Sequence, residues 1–171
     1  MFRNKDLYIR SVEANDLQWL MKLREETWMD LGTINMLNTY KQDKWFENIS
    51  SNPKCEYYII NTEKEKIGLV RMDEIDYINR SIRVGGDIKT EFRNKGYGTL
   101  MMELILVYCF NYLNFNRIWL MVMNNNFAAK KIYKKLGFKE EGRQREALYR
   151  TGSYHDYIMM SILKEEYKCM N

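Results

Sequence analysis

Residues 87–99 read Asp-Ile-Lys-Thr-Glu-Phe-Arg-Asn-Lys-Gly-Tyr-Gly-Thr, the stretch of this chain best suited to chemistry. A strand pattern ends, a basic loop with glycines at 96 and 98 follows, and an apolar helix begins. The first turn of a helix leaves backbone N–H groups unpaired and carries the positive end of the helix dipole. Glycines let that backbone approach a ligand closely, and Arg93 and Lys95 add positive charge. The combination suits a phosphate or diphosphate. It is not a P-loop, since no Gly-Lys-Ser/Thr follows, and not the dinucleotide fingerprint, whose third glycine position holds Met101. Taken alone, the segment reads equally well as a tight turn with solvated basic residues.

A second segment tips that balance: Asn124-Asn-Asn-Phe-Ala-Ala-Lys-Lys-Ile-Tyr-Lys-Lys-Leu-Gly-Phe138. Together the two resemble the GNAT superfamily of acyl-CoA-dependent N-acyltransferases. The resemblance is carried by Arg93, Gly96 and Gly98 in the loop. In the second segment it is carried by Asn126, Ala129, Tyr133, Lys135, Gly137 and Phe138. It extends over residues 7–165 and is nearest to the branch of ribosomal-protein, polyamine and amino-sugar acetyltransferases.

The resemblance implies acetyl-CoA as cosubstrate and direct attack of a primary amine on the thioester. The pyrophosphate would rest on the amides of Arg93, Asn94, Lys95, Gly96, Tyr97, Gly98 and Thr99. The pantetheine arm would run along Ile88, Lys89 and Thr90 as an added strand, with Asn126 also on the arm. The N–H near Ile88 would hold the oxyanion. Tyr133, with a phenol pKa of about 10 against about 8.5 for a thiol, would protonate the departing sulfur. The glutamate that many family members place early in the strand is replaced here by Arg83. Asp73, Glu74, Asp76 and Asp87 remain as candidates to lead a water chain. An Arg83 pointing into the site would repel a polycation, so the expected acceptor is an amino sugar or similar small amine. A polyamine, a protein N-terminus and a non-catalytic acyl-CoA-binding module stay open.

Other chemistry-bearing residues read as structural. Glu25, Glu26, Asp30 and Glu47 fit solvated helix charges as well as an acceptor pocket. Trp28, Trp45 and Tyr40 fit core as well as an acceptor wall. His155 beside Asp156 has no nucleophile partner in any motif. Met101, Met102, Met121 and Met123 fit core packing.

The elements that must position these groups follow from periodicity. Leu7–Val12 alternates as a strand, and Asn15-Asp16 offers an N-cap to a helix through Leu17, Leu20 and Leu23. Residues 29–38 read as a loop and Thr39–Ile49 as a second helix. Strands are expected at 56–61, 67–77 and 81–89, joined by a charged turn at 63–66 and a turn at Asn79-Arg80, with a bulge near Gly68. A buried helix is expected over 98–113, a strand over 117–123 and a helix over 127–136 that stops at Gly137. Two closing strands are expected over 138–147 and 154–163. A meander feeding a β-α-β crossover predicts an α/β (α+β) domain with a mixed, mostly antiparallel sheet flanked by helices.

Composition sets the outer bounds. The 171 residues fit one domain over 1–171, and 46% apolar with 14% aromatic content supports a packed core. A net charge of +4 admits an anionic ligand without requiring nucleic acid, which is not expected as a partner. Cys55, Cys109 and Cys169 form no CxxC pair, so neither a metal site nor a disulfide framework is expected, and Cys109 reads as core. No membrane-spanning stretch or signal segment is read, so a cytoplasmic setting is expected. A homo-oligomer is left open.

Overall fold

The computed structural model describes residues 2–3, 6–28 and 38–168. The expected loop at 29–37, with Asp30, lies outside the described residues. Among the described residues eight strands form one sheet: β1 (Phe2–Arg3), β2 (Tyr8–Ser11), β3 (Glu56–Asn61), β4 (Lys66–Asp76), β5 (Ser81–Ile88), β6 (Arg117–Met123), β7 (Lys139–Arg150) and β8 (Ser153–Leu163). The spatial order is β1-β2-β3-β4-β5-β6-β8-β7. Every neighbouring pair is antiparallel except β5 and β6, which are joined through a helix and run parallel. The helices are α1 (Leu17–Thr27), α2 (Thr39–Ser51), α3 (Tyr97–Val107), α4 (Phe127–Lys135) and the short α5 (Lys164–Lys168).

The β3-β4-β5 meander forms because Tyr, Ile and Val runs alternate between faces and short turns close them. Asp76 Oδ1 accepts from the Asn79 N–H at 2.8 Å, and Arg80 adopts φ 55°, which completes the turn into β5. Gly68 sits next to the register shift at Ile60/Asn61. A Cβ there would lie 2.4 Å from the Asp87 carbonyl oxygen, so only glycine lets β4 and β5 approach at this point. The sheet separates two apolar clusters. The larger, with Ile82, Val84, Leu106 and Phe110, lies with α3, and the smaller packs Leu17, Leu20 and Leu23 of α1 against Ile59 and Leu69. Burying each of those three leucines contributes roughly 1.5–3 kcal/mol. That holds in place an 11-residue helix too short to persist alone.

Three expectations are corrected. Asp16 does not cap α1 with its side chain. Its fully buried carboxylate accepts from Arg10 at 2.7 and 2.8 Å, from Lys66 at 2.7 Å and from the Glu13 N–H at 2.9 Å. That arrangement ties β2, α1 and β4 together. The buried helix expected over 98–113 is α-helical only to Val107 and continues as a π-helical turn over Tyr108–Tyr112. The wider turn turns both Cys109 and Phe110 inward and leaves Tyr112 exposed. The closing hairpin is longer than expected, with register shifts between Glu140/Gly142 and between Gln144/Leu148.

Candidate active site

The parallel pair is short. Ser81, Ile82 and Arg83 pair with Arg117, Ile118 and Trp119, and there the register stops. β5 runs on to Ile88 along β4, and β6 runs on to Met123 along β8, so the two strands diverge. The gap is a cleft of about 950 Å3. Arg71, Asp73, Arg83 and Asp87 line it from the face that carries α1, and Met101, Met102, Ile132 and Tyr133 from the face that carries α3 and α4. The cleft therefore passes through the sheet. The Lys89 N–H bonds the Ile67 carbonyl at 2.8 Å, and antiparallel alternation then turns the N–H groups of Gly86 and Ile88 away from β4, towards the gap. An extended ligand can use that edge as a strand would.

At the outer end of β5, Thr90–Phe92 make a single 3-10 turn and the chain swings into α3. Asn94 at φ 59° and Gly96 at φ 86° both take the left-handed conformation that reverses the backbone. The first intrahelical bonds run from Thr99 and Leu100 N–H to the Gly96 carbonyl. The amides of Tyr97 and Gly98 precede them and point out of the helix start. Gly98 serves packing instead: a Cβ there would sit 3.1 Å from Ile132 Cδ1, where α3 meets α4. Arg93 Nε donates to the Ile88 carbonyl at 3.0 Å, which pins the loop to β5. Lys95 lies over the Phe92 ring, and Lys89 pairs with Glu91. Arg93, Asn94, Gly96, Gly98 and Thr99 line the cleft.

α4 starts at Asn126, whose Oδ1 accepts from the Ala129 N–H at 3.1 Å. This cap occupies the oxygen and leaves the amide NH2 as the group Asn126 can offer a ligand in the cleft. The helix ends at Gly137, φ 86°, with the Phe138 N–H bonded to the Tyr133 carbonyl at 3.0 Å. That closure holds the Tyr133 ring against Phe138, 5.7 Å between centroids. The Tyr133 side chain as a whole keeps some solvent access, but its phenol faces the cleft interior. Burial pushes it up to about 12, with Arg71 lowering and Asp87 raising it. It is a protonated donor throughout the neutral range.

The opposite end is built from side chains. Repulsion of a polycation by Arg83 was conditional on its charge pointing open into the site, and here the guanidinium is engaged by carboxylates. It pairs across the strand with Asp73, reaches Glu74 at 2.7 Å and lies over the Trp119 ring at 5.6 Å. Its pKa is raised, first by the hydrogen bond to Asp73. Glu74, at φ 49°, sits in the β4 bulge that brings its carboxylate round. Asp87, 9% exposed, pairs with Arg71 at 2.9 Å. Glu26 Oε2 accepts from the Thr90 N–H at 3.4 Å, and Glu47 pairs with Lys44 on the exposed side of α2. Asp76 is used in its turn. Trp28 and Tyr40 are exposed rather than core, while Trp45 stacks edge-on with Tyr57 at 5.3 Å. Met101 and Met102 pack in the larger cluster and Met123 is buried, whereas Met121 is half-buried; all four also form cleft wall. His155 contacts Ser153 in the closing hairpin, away from the cleft. Arg71 escaped the sequence reading; its signal was Gly85, the bare position directly opposite it on β5.

Residues 6–139 match the acetyltransferase (GNAT) domain family. The chain belongs to that family. A spermidine N(1)-acetyltransferase of Vibrio cholerae is 29% identical over 169 residues, covering 96% of each chain. A putative ribosomal N-acetyltransferase of Bacillus subtilis, YdaF, is 27% identical over 174 residues, covering 96% of this chain and 95% of its own. The crystal structure of the V. cholerae spermidine N-acetyltransferase with CoA and spermine superposes with a TM-score of 0.90 at 27% identity, covering 96% of this chain and 99% of that one. The protein is thus a GNAT N-acetyltransferase that uses acetyl-CoA, with the sheet expected of that fold. Among the described residues, no helix is long and apolar enough to cross a membrane.

Proposed function

We propose that this GNAT enzyme acetylates a primary amine of an aliphatic polyamine. The observation that carries the reading is the state of Arg83. Because it is bound to both Asp73 and Glu74, its positive charge is compensated and does not stand open to the cleft. This removes the reason for expecting an amino sugar, which was repulsion of a polycation by an unpaired guanidinium. Relatives named as spermidine acetyltransferases support the same choice.

In this reading the diphosphate of acetyl-CoA accepts from the amides of Arg93–Thr99, and its arm lies along Ile88–Thr90 with Asn126 against it. The fit rests on the unpaired β5 edge and the left-handed Gly96. The amine enters from the α1 side and attacks the thioester carbonyl. The C–N bond forms, and the carbonyl oxygen becomes an oxyanion that accepts from the Ile88 N–H, a fixed donor in a partly dry cleft. The C–S bond then breaks and Tyr133 donates its proton to sulfur. A phenol near 12 is a weaker acid than a free thiol by about three to four units. Transfer therefore accompanies C–S cleavage rather than preceding it, and the O–H···S bond stabilises the developing thiolate.

The test is thiol release measured in parallel with spermidine, a UDP-amino sugar and an alanine-starting peptide. Spermidine is expected to give the highest kcat/KM, by about tenfold or more, the span of one added charge-assisted contact. The peptide is included because of the B. subtilis relative. A higher value for the sugar or the peptide overturns the proposal.

A further inference from the structure

We infer that Asp87, held in place by Arg71, is the carboxylate that accepts the amine's proton in this chain. The inference rests on the acetyl-transfer reading above and names the one role that reading leaves vacant.

Side chains alternate along a strand, so Arg83, Gly85 and Asp87 share one face of β5. The first position, where a glutamate was looked for, is an arginine engaged by Asp73 and Glu74. The second is bare. A Cβ at Gly85 would stand 3.4 Å from Arg71 Nη2, so the Arg71 guanidinium lies across this position and reaches Asp87 Oδ2 at 2.9 Å. The Arg71–Asp87 contact is thus a diagonal cross-strand pair made possible by a missing side chain.

Asp87 stands where two spaces meet. It lines the through-sheet cleft and also a chamber of about 100 Å3 beneath α1 and α2, walled by Leu20, Trp45 and Gln42. An amine arriving from that side passes the carboxylate one residue before the Ile88 N–H that would hold the oxyanion. Among the described residues, no other carboxylate lines both spaces. Asp73 lines the cleft but not the chamber, and Glu74, Asp76 and Glu26 line neither; Asp76 caps a turn and Glu26 sits by the Thr90 amide at the rim. The titratable groups facing Asp87 are Arg71 from β4, Arg24 from α1, Tyr57 from β3 and Tyr133 from α4. The charges of both Arg71 and Asp87 are felt at the Tyr133 hydroxyl.

The protons balance. The ammonium loses one proton to solvent, and the neutral nitrogen attacks. As C–N forms and C–S breaks, the remaining excess N–H proton passes to the Asp87 carboxylate and the Tyr133 proton to sulfur. Return of a proton from the Asp87 carboxyl to the Tyr133 phenolate resets both.

The test uses the intact enzyme and the variants Asp87→Asn, Asp87→Ala and Asp87→Glu, with melting temperature and acetyl-CoA binding measured for each. Asp87→Asn is expected to lower kcat about a hundredfold or more, while the KM for acetyl-CoA stays within roughly twofold. Formate is expected to restore Asp87→Ala about tenfold and to leave Asp87→Asn unchanged, since a small carboxylate fits only the vacated space. A kcat for Asp87→Asn near wild type, or a loss in Asp87→Ala that formate does not relieve, overturns the inference. Should Asp87→Ala not fold, Asp87→Glu decides: a kcat no better than that of Asp87→Asn counts against a carboxylate role. A wild-type enzyme that acetylates no amine sinks the underlying reading as well; an active wild type with indifferent variants sinks Asp87 alone.

Discussion

The two ends of the cleft are made of different material. The end proposed for the coenzyme is backbone: amides at the start of α3, the unpaired edge of β5, and a reversal at Gly96 that only a left-handed residue makes. The end proposed for the acceptor is side chains: Arg71, Asp73, Arg83 and Asp87, arranged in cross-strand pairs. A backbone site demands particular residues at particular steps and tolerates little change. A side-chain site can swap charges between neighbouring strands and keep its balance, as the Arg83–Asp73 pair does.

That contrast can be broken at several points. Tyr133→Phe, where the two ends meet, is expected to lower kcat about a hundredfold, with acetyl-CoA affinity little changed. Steady-state kinetics beside calorimetry with acetyl-CoA would show it, and equal loss in both would place Tyr133 in binding instead. Asp16→Ala strands Arg10 and Lys66 and should lower unfolding free energy by about 3–5 kcal/mol, the cost of breaking a buried ion cluster. Urea titration reads this out. Gly96→Ala puts a Cβ on a φ of 86°. It should weaken acetyl-CoA binding by roughly tenfold, equivalent to about 1–2 kcal/mol of left-handed strain, while spermidine KM holds. Arg83→Gln releases Asp73 and Glu74, so spermidine KM should fall by about two- to fivefold, the worth of a partly exposed ion pair, with no effect on the coenzyme end.

The smallest effect concerns acid. Glu141 is held down at about 2, first by the hydrogen bond from Arg117. Asp16 is also held well below the usual carboxylate range: its burial opposes ionisation, but hydrogen bonds from Arg10 and Lys66 prevail. Both pKa values are depressed by folding, so their stabilisation is complete above the unfolded values near 4 and fades as pH falls towards 2. Melting temperature should be flat from neutrality to about pH 5 and drop below it. In Glu141→Gln the drop should be shallower.

The same contrast explains what could be read in advance. The meander, the crossover and the stop at Gly137 were visible because each depends on local spacing and turn chemistry. The glycine-containing loop between β5 and α3 was visible for the same reason. The pairing of Arg83 was not legible because its partner Asp73 comes ten positions earlier on a neighbouring strand, and register across strands is not written in either segment alone. Asp16 was misjudged likewise: its type fits a cap, but Lys66, fifty positions away, converts it into a buried anchor. The π-helical turn at Tyr108 has no local breaker and follows from how Cys109 and Phe110 fit the core.

Only three residue pairs join β5 to β6, so the ladder is nearly severed midway across the sheet. Five strands on one side and three on the other are hinged by those rungs and by the crossover helix. A coenzyme arm laid along Ile88 would supply rungs the polypeptide omits, and would act as a clasp. Amides of β6 near Met121–Met123 should then exchange with deuterium more slowly once acetyl-CoA is present.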